Sequence, residues 1–436
     1  MIRRGGNGVF LECFSELNFG RVRYLSDSIS FSSKNKVQDE ANGKNNYKLR
    51  VPLLKSPGYF GHLSSRVNRR YNEDRYSAYL LELPEDRKLF NFNIFDGHGG
   101  DQCSTFLQTH LPSIVESDFL LSQREDDGPR TQLIEAYKNT FGGYWKMWFR
   151  NRQNHFKSMT NIDEINLSKI KMHEDLNLRL LMTFLQTDYD YFKRDDNSAG
   201  STCTSAYIDT IYSEEESVGD GPFYFDRGTI SKLTVAQVGD TRALIIDRNG
   251  EAYPLTEYHH PSSPVESKRL RRYATKFFLT DSFGEERFVT LANTRAFGDV
   301  NFKQMGITAE PQVSSIIVGD STTIASRLTE WERKSYTIGS LGGDELSLVL
   351  CSDGVMNSIT DQEVADIIMA SCRKKPGLAT PQSCAEDVVH FVEDVGGDDN
   401  ATCLVIRLTG WGKWPDIDRT EVLRKERIED YRPRST

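Results

Sequence analysis

Aspartates carry the first hint of chemistry. Asp74, Asp96, Asp240, Asp353 and Asp399 each stand where an extended, strand-like segment runs into a tight turn marked by glycine or asparagine. The sharpest case is Leu89-Phe90-Asn91-Phe92-Asn93-Ile94-Phe95, which alternates apolar and polar residues and then breaks at Asp96-Gly97-His98-Gly99-Gly100. Turns of this kind hold a carboxylate at the edge of a sheet. Oxygen donors gathered without matching cations suit a hard divalent metal. An aspartate beside a glycine is also ordinary turn chemistry, so no one of these positions establishes a metal site by itself.

The elements that must position them can be read along the chain. Residues 30–50, rich in Ser, Lys and Asn, lack the apolar surface to offset ordering entropy and read as a linker. The folded body is expected to begin near Val51. After Gly100 come about a hundred residues of helical character that end on Leu178, Leu181, Leu185 and Phe192 at spacings of three, four and seven. They read as a pair of helices plus a helical insertion within about 120–175. Tyr144-Trp145-Lys146-Met147-Trp148-Phe149-Arg150 fits a buried helix with snorkelling cations better than a docking surface. From Gly200 strands dominate, and residues 233–238 and 243–246 flank Gly239-Asp240-Thr241-Arg242 like a hairpin. Capping boxes at Thr360-x-x-Glu363 and Ser383-x-x-Glu386 announce two late helices. The expected organisation is a targeting or disordered segment over 1–50, a catalytic domain over 51–409 and a charged tail over 410–436, whose mixed charges from Trp411 onward fit a solvated tail or a terminal helix.

Composition narrows the function classes. The chain has 436 residues, enough for two or three average domains or for one large catalytic domain with extensions. Its net charge of −9 argues against a polyanion binder, so nucleic acid is not an expected partner. The seven cysteines occur singly with no CxxC pair, which fits reduced thiols rather than a zinc knuckle or a disulfide framework. None is followed by arginine six positions later, so the thiolate-plus-arginine loop of cysteine-dependent phosphatases is missing. No stretch approaches the roughly 18 apolar residues that span a bilayer, and no integral membrane segment is expected. Arg3, Arg4, Arg21 and Arg23, with serines and apolar Val9, Phe10, Leu11 and Phe14, match the composition of a mitochondrial transit peptide, although Glu12, Glu16 and Asp27 weaken the match. The expected location is mitochondrial, with the cytoplasm as the alternative.

Taken in order, Arg69-Arg70-Tyr71-Asn72-Glu73-Asp74, Asp96-Gly97-His98-Gly99-Gly100, Gly200-Ser201-Thr202, Val238-Gly239-Asp240-Thr241-Arg242, Thr294-Arg295-Ala296-Phe297-Gly298-Asp299, Ser352-Asp353-Gly354 and Asp399-Asn400 resemble the motifs of the metal-dependent, type 2C protein serine/threonine phosphatases. The resemblance spans roughly residues 60–408. It implies an α+β fold, a central β-sandwich of two antiparallel sheets flanked by helices in four αββα layers, with a binuclear metal site at one edge. Asp96 would bridge both ions, the Gly97 carbonyl would bind one, Asp353 and Asp399 the other, and Glu73 and Asp74 would hold metal-bound waters. Two ions ~3.5–4 Å apart need a bridging carboxylate and lower the pKa of a shared water. Mg(II) or Mn(II), two ions per subunit, fits a set of oxygen ligands.

The implied catalytic residues are His98, Arg69 and Asp74. Arg69 matches the family's phosphate-binding arginine, whose planar fork suits two phosphate oxygens. His98 would protonate the departing serine or threonine oxygen. The implied enzyme is a monomer acting on phosphoproteins, with attack in line and no phosphoenzyme. His259-His260 with Glu266 and Arg269 resemble a structural stretch, and Arg295 and Asp299 a buried polar network beside the site. Two departures stand out: Tyr258 occupies a position where the family usually has aspartate, and Met356-Asn357 replaces a Trp-Asp pair. A third, weaker ion would rest on Asp240 and Asp353, and Asn357 puts its occupancy in doubt. The alternatives are a binding module that keeps the fold without the activity, which the intact carboxylate set disfavours, and another two-metal phosphoesterase.

Overall fold

The computed structural model describes residues 25–431 except 33–47, 85–86, 118–128, 149, 151–163, 168, 174, 215–220, 275–277, 281–283, 285, 339–341 and 375–376. Period-two alternation decides its layers. In strand Arg87–His98, Phe90, Phe92 and Ile94 join one apolar cluster while Leu89 and Phe95 join another, on the opposite face. This strand belongs to a six-stranded antiparallel sheet ordered Gln312–Gly319, Thr229–Val238, Gly200–Ser213, Arg87–His98, Arg75–Leu83, with the short strand Phe297–Gly298 paired to the start of Gly200–Ser213. A five-stranded antiparallel sheet runs Ala252–Pro254, Arg242–Ile246, Ser347–Cys351, Ala401–Arg407, Phe60–Ser65.

The two sheets share their inner core. Phe92, Ile94, Leu233 and Val235 of the first meet Ala243, Ile245, Leu348, Leu350, Leu404 and Ile406 of the second. Each of the larger side chains among them, fully buried, contributes on the order of 1.5–3 kcal/mol. The outer face of the first sheet is covered by helices Gln102–Glu116 and Asp175–Phe192 through Leu107, Leu111, Leu176, Leu180 and Phe184. Helices Asp361–Lys374 and Pro381–Asp394 cover the second through Val364, Ile368, Val388 and Val389. The four αββα layers expected from the resemblance are therefore present.

Several local expectations change. Asn91 and Asn93, the polar half of the alternating strand, are buried rather than solvated. The helices cover that face, and the two amides are satisfied by each other, by Ser77 and by the backbone of Ala206. Residues 239–242 do not close a hairpin. Strand Thr229–Val238 stays in one sheet while Arg242–Ile246 pairs with Ser347–Cys351 in the other, so the turn is a crossing between layers. Gln237 pins it by donating from Nε2 to the carbonyls of Gly239 and Thr241 at 3.0 Å each. The second late helix is capped by Thr380, reciprocally with Ser383, rather than by Ser383 with Glu386. The first box, Thr360 with Glu363, forms as expected, with the Thr360 N–H donating to Glu363 Oε2 at 2.8 Å.

The expected boundaries also move. Strand Ser28–Ser32 pairs with Lys48–Pro52, and the Leu80 N–H donates to the Ser26 carbonyl at 2.7 Å, so the folded body begins before residue 51. Ile29, 1 % exposed, anchors this hairpin in the inner core. The expected transit segment, residues 1–24, lies outside the described residues. Within the insertion, helix Pro129–Phe141 is joined by a hairpin, Glu164–Leu167 with Ile170–His173, whose alternating Leu167, Ile170 and Met172 pack on Ile230, Ile317 and Leu328. The charged tail is docked: Arg419 and Thr420 donate their N–H groups to the buried Asp366 carboxylate at 2.8 Å each, and helix Glu421–Tyr431 follows.

Candidate active site

Antiparallel register explains why distant aspartates meet. Arg75 lies opposite Phe95, Asp96 opposite Thr202 and Cys203 opposite Val238, so Asp74, Asp96 and Asp240 stand at one end of the first sheet. Arg242 lies opposite Cys351, and Cys351 opposite Cys403, which places Asp353 and Asp399 at one end of the second. The crossing at residues 239–242 brings those two ends together.

The Asp96, Asp240 and Asp353 carboxylates each offer an oxygen within 4.8 Å of the others. The Asp353 N–H points to Asp96 Oδ2 at 3.4 Å. Burial, then the charges of Asp353, Asp74 and Asp240, pushes Asp96 well above the ordinary carboxylate range. Burial and the Asp240 charge raise Asp353 to about 7. Asp240 is raised by burial as well. Asp74 is lifted to about 7 by burial, although the Thr402 and Ser352 hydroxyls pull the other way. Its Oδ2 accepts from Thr402 Oγ1 at 2.6 Å, while its Oδ1 is buried with no hydrogen-bond partner among the described residues. Carboxylates that destabilise one another, partly buried at Asp96, Asp240 and Asp353 and buried at Asp74 with one orphaned oxygen, fit a hard divalent cation.

Glu73 and Asp399 lie outside that tight group. The Glu73 N–H donates to Asn400 Oδ1 at 2.9 Å, and its carbonyl accepts from Ser104 Oγ at 2.6 Å. Gly97 is wedged here: a Cβ would come 2.6 Å from the Glu73 carbonyl oxygen and 2.8 Å from Ser104 Oγ. Asp399 is occupied, its Oδ2 accepting from Arg69 Nη2 at 2.7 Å and its Oδ1 from the Asn400 N–H at 2.8 Å. Arg69 also donates from Nε to the Asp398 carbonyl at 2.8 Å, leaving Nη1 with no hydrogen bond among the described residues. Asn357 donates from Nδ2 to Asp353 Oδ2 at 3.3 Å. Tyr258, half-exposed, stacks with the Arg242 guanidinium 4.9 Å from its ring centre.

His98 Nε2 lies 2.9 Å from Asp299 Oδ2. Burial would lower its pKa, but the Asp299 hydrogen bond and charge, with Asp240 and Glu73, raise it. Gly200 makes room for this ring, since a Cβ there would come 2.2 Å from Nε2. The direct contact of Asp299 with His98 is a pairing that sequence motifs alone did not reveal, because the residues are 201 positions apart. Thr402, which holds Asp74, was equally hidden, and Asn400 was visible as part of the Asp399-Asn400 motif but not as the residue that ties Glu73, Arg66 and Tyr71 to it. The polar network expected around Arg295 forms with other members, Glu266 pairing with Arg269 and Arg295 at 2.6 Å each, while Asp299 turns to His98 instead. Burial would raise Glu266, but the two guanidiniums hold it well below the usual range. His259 is structural, accepting at Nδ1 from the Gly239 N–H at 3.0 Å, with burial and Arg295 lowering it to about 3.

Comparison with known proteins follows the same lines. The model of the family described as protein phosphatase 2C matches residues 69–325. Protein phosphatase 2C homolog 4 of Schizosaccharomyces pombe is 33% identical over 396 residues, covering 88% of this chain and 89% of that one. The protein named protein phosphatase 1K, mitochondrial, of Xenopus laevis is 30% identical over 347 residues, 79% of this chain and 66% of that one. The crystal structure of a phosphatase from a pathogenic strain of Toxoplasma gondii superposes with a TM-score of 0.51 over 81% of this chain and 94% of that one, and at 16% identity it shows a shared fold. With the family model matching more than half of its length, the chain belongs to the protein phosphatase 2C family and is a serine/threonine phosphatase.

Proposed function

We propose that the protein hydrolyses phosphoserine and phosphothreonine in proteins with two Mg(II) or Mn(II) ions held at the joined sheet ends. The observation that carries this reading is the convergence of Asp96, Asp240 and Asp353 within 4.8 Å. Asp96 would be shared between the ions, with the Gly97 carbonyl toward one and Asp353 and Asp399 toward the other. Glu73 and Asp74 would act through water, for which the free Asp74 Oδ1 is an acceptor. When bound, the ions supply the charge that lets water ionise near neutral pH and that offsets the phosphoryl oxygens.

The chain's own residues do the rest. Arg69, its side chain 55% exposed, presents the free Nη1 edge of its guanidinium to a phosphate oxygen while Asp399 and the Asp398 carbonyl hold the other edge. His98 keeps a proton because Asp299 binds Nε2, which leaves Nδ1 to hand a proton to the leaving oxygen. Asn357 offers an amide where a carboxylate would add charge, so a third ion on Asp240 and Asp353 would be weak. Release of phosphate from a phosphothreonine peptide, compared with hydrolysis of a phosphodiester under the same Mn(II), tests the reading. Faster turnover of the diester would replace it with a different two-metal phosphoesterase.

The proposed location is mitochondrial, supported by the basic, serine-containing N-terminus and by the printed name of the Xenopus laevis relative. No helix among the described residues is long and apolar enough to cross a membrane. Tagging the full chain and a version starting at Leu25 tests the location. Identical cytosolic distributions would remove the import proposal.

A further inference from the structure

The loop over residues 66–72 runs along the edge of the site and is fastened to it. Asn400, next to Asp399, donates from Nδ2 to the carbonyls of Arg66 at 3.3 Å and Tyr71 at 2.9 Å. Asn68 Nδ2 donates to the Gly397 carbonyl at 2.7 Å, and Arg69 Nε to that of Asp398. Within the loop Val67 adopts φ 47°, a left-handed conformation that a β-branched residue rarely takes. Strain of this kind costs on the order of 1–3 kcal/mol and persists where surrounding contacts over-determine the backbone, often at a functional site. Here those contacts come from residues 397–400, the segment that carries Asp399.

What this fastened loop presents is positive charge. Arg66, Arg69 and Arg70 are all exposed. Arg69 is paired with Asp399, whereas Arg66 and Arg70 have no carboxylate partner among the described residues. The Arg66 guanidinium donates from Nη1 to the Arg69 carbonyl at 3.2 Å, which keeps it on the same side of the loop. Arg70 lies 5.3 Å from the ring centre of Tyr71, which is 67% exposed. One guanidinium, Arg69, is enough for the scissile phosphate. Unpaired cations beside it, in a chain of net charge −9 and next to a carboxylate-lined site, have their natural counter-ions on the substrate.

We propose that Arg66, Arg70 and Tyr71 form a rim subsite that selects phosphoprotein segments carrying acidic side chains next to the phosphorylated residue, an inference that rests on the phosphatase reading of the neighbouring site. Arg66 and Arg70 take the flanking carboxylates, and the Tyr71 ring orients Arg70 and covers the peptide backbone. The subsite also counters the repulsion that Glu73, Asp398 and Asp399 would exert on an acidic peptide.

The test uses three phosphothreonine peptides that differ only in glutamate, glutamine or lysine flanks, with the full chain, the double variant Arg66→Gln/Arg70→Gln and the double variant Arg66→Lys/Arg70→Lys. The wild type should favour the glutamate over the glutamine peptide by about three- to tenfold in kcat/KM at low salt, and the preference should shrink as salt rises. It should approach unity in the glutamine variant and return in part in the lysine variant. An equal glutamate-to-glutamine ratio in wild type and glutamine variant overturns the subsite. Fluorescence polarisation of the glutamate-flanked peptide in chelator reads the same contact without turnover. Weaker polarisation binding in the glutamine variant with no hydrolysis of any peptide would keep the subsite and sink the phosphatase reading. Hydrolysis without discrimination would do the reverse.

Discussion

Asp299 Oδ2 lies 2.9 Å from His98 Nε2 and favours the protonated ring, and the consequence is measurable. Its backbone sits at φ 48°, a conformation asparagine tolerates, so Asp299→Asn removes charge with little strain. The His98 pKa should fall, because the interactions that raise it against burial are lost. The imidazolium then disappears at lower pH, and the alkaline side of the pH–rate profile should move to lower pH. An unmoved profile would show that His98 is not the proton donor. Replacing His98 by glutamine should cost about 10²–10⁴-fold on a phosphothreonine peptide, whose alkoxide needs a proton. The loss should be smaller on p-nitrophenyl phosphate, whose leaving group is already stable as an anion. Comparing the two substrates in steady-state assays checks this. At this scale much of the site was legible, since Asp96, Asp240 and Asp353 stand at turns with local signatures. The Asp299 contact was not, because it depends on how strand Phe297–Gly298 pairs with Gly200–Ser213, which no local pattern encodes.

Buried carboxylates govern the elements that frame the site. Glu266 on helix Pro264–Ala274 holds Arg269 and Arg295, so Glu266→Ala leaves two buried guanidiniums without their counter-charge and should cost about 3–5 kcal/mol in urea denaturation. A loss under 1 kcal/mol would mean the helix is held by other contacts. Glu345, before strand Ser347–Cys351, behaves oppositely. It accepts from the N–H groups of Gly343 and Gly319, yet burial raises it to about 7. The folded state therefore binds its proton more tightly than the unfolded one, and stability should fall as pH rises from about 4.5 to about 7 and level off above. In Glu345→Gln that part of the pH dependence should vanish from denaturation midpoints. Element types were mostly readable from periodicity and capping. The errors share a cause: a turn such as 239–242 has the same local chemistry whether its strands pair or part, and partners 100 residues away decide. Thr380-Pro381 held a usable signal for the second cap, because proline suits the first helical position.

Across the whole molecule, the body reaches beyond the limits that composition suggested. The polar stretch over 30–50 reads as linker because the two short strands that overlap its ends, Ser28–Ser32 and Lys48–Pro52, pair with each other across it, and its residues 33–47 lie outside the described ones. A chain starting at Leu25 should keep the stability of the full chain, whereas one starting at Val51 should lose about 2 kcal/mol or more through exposure of the surface Ile29 covers. Thermal or urea midpoints of the two truncations decide it; equal midpoints would restore the later boundary. At the other end the terminal helix that the charge pattern allowed does form, over Glu421–Tyr431, and what composition hid is its docking, with Arg427 against Glu363 and Arg424 near Asp366 on helix Asp361–Lys374. The proposed hydrolysis of phosphoproteins depends on ions held by carboxylates at the joined ends of two sheets. Its most direct test is phosphate release from a phosphothreonine peptide by the full chain with Mn(II), with Mn(II) plus excess chelator, and by the folded Asp353→Asn variant. Release is expected in the first case only, with losses of at least about 10³-fold in the others, the scale on which electrostatic and metal catalysis operate. Release that survives both the chelator and Asp353→Asn would contradict it.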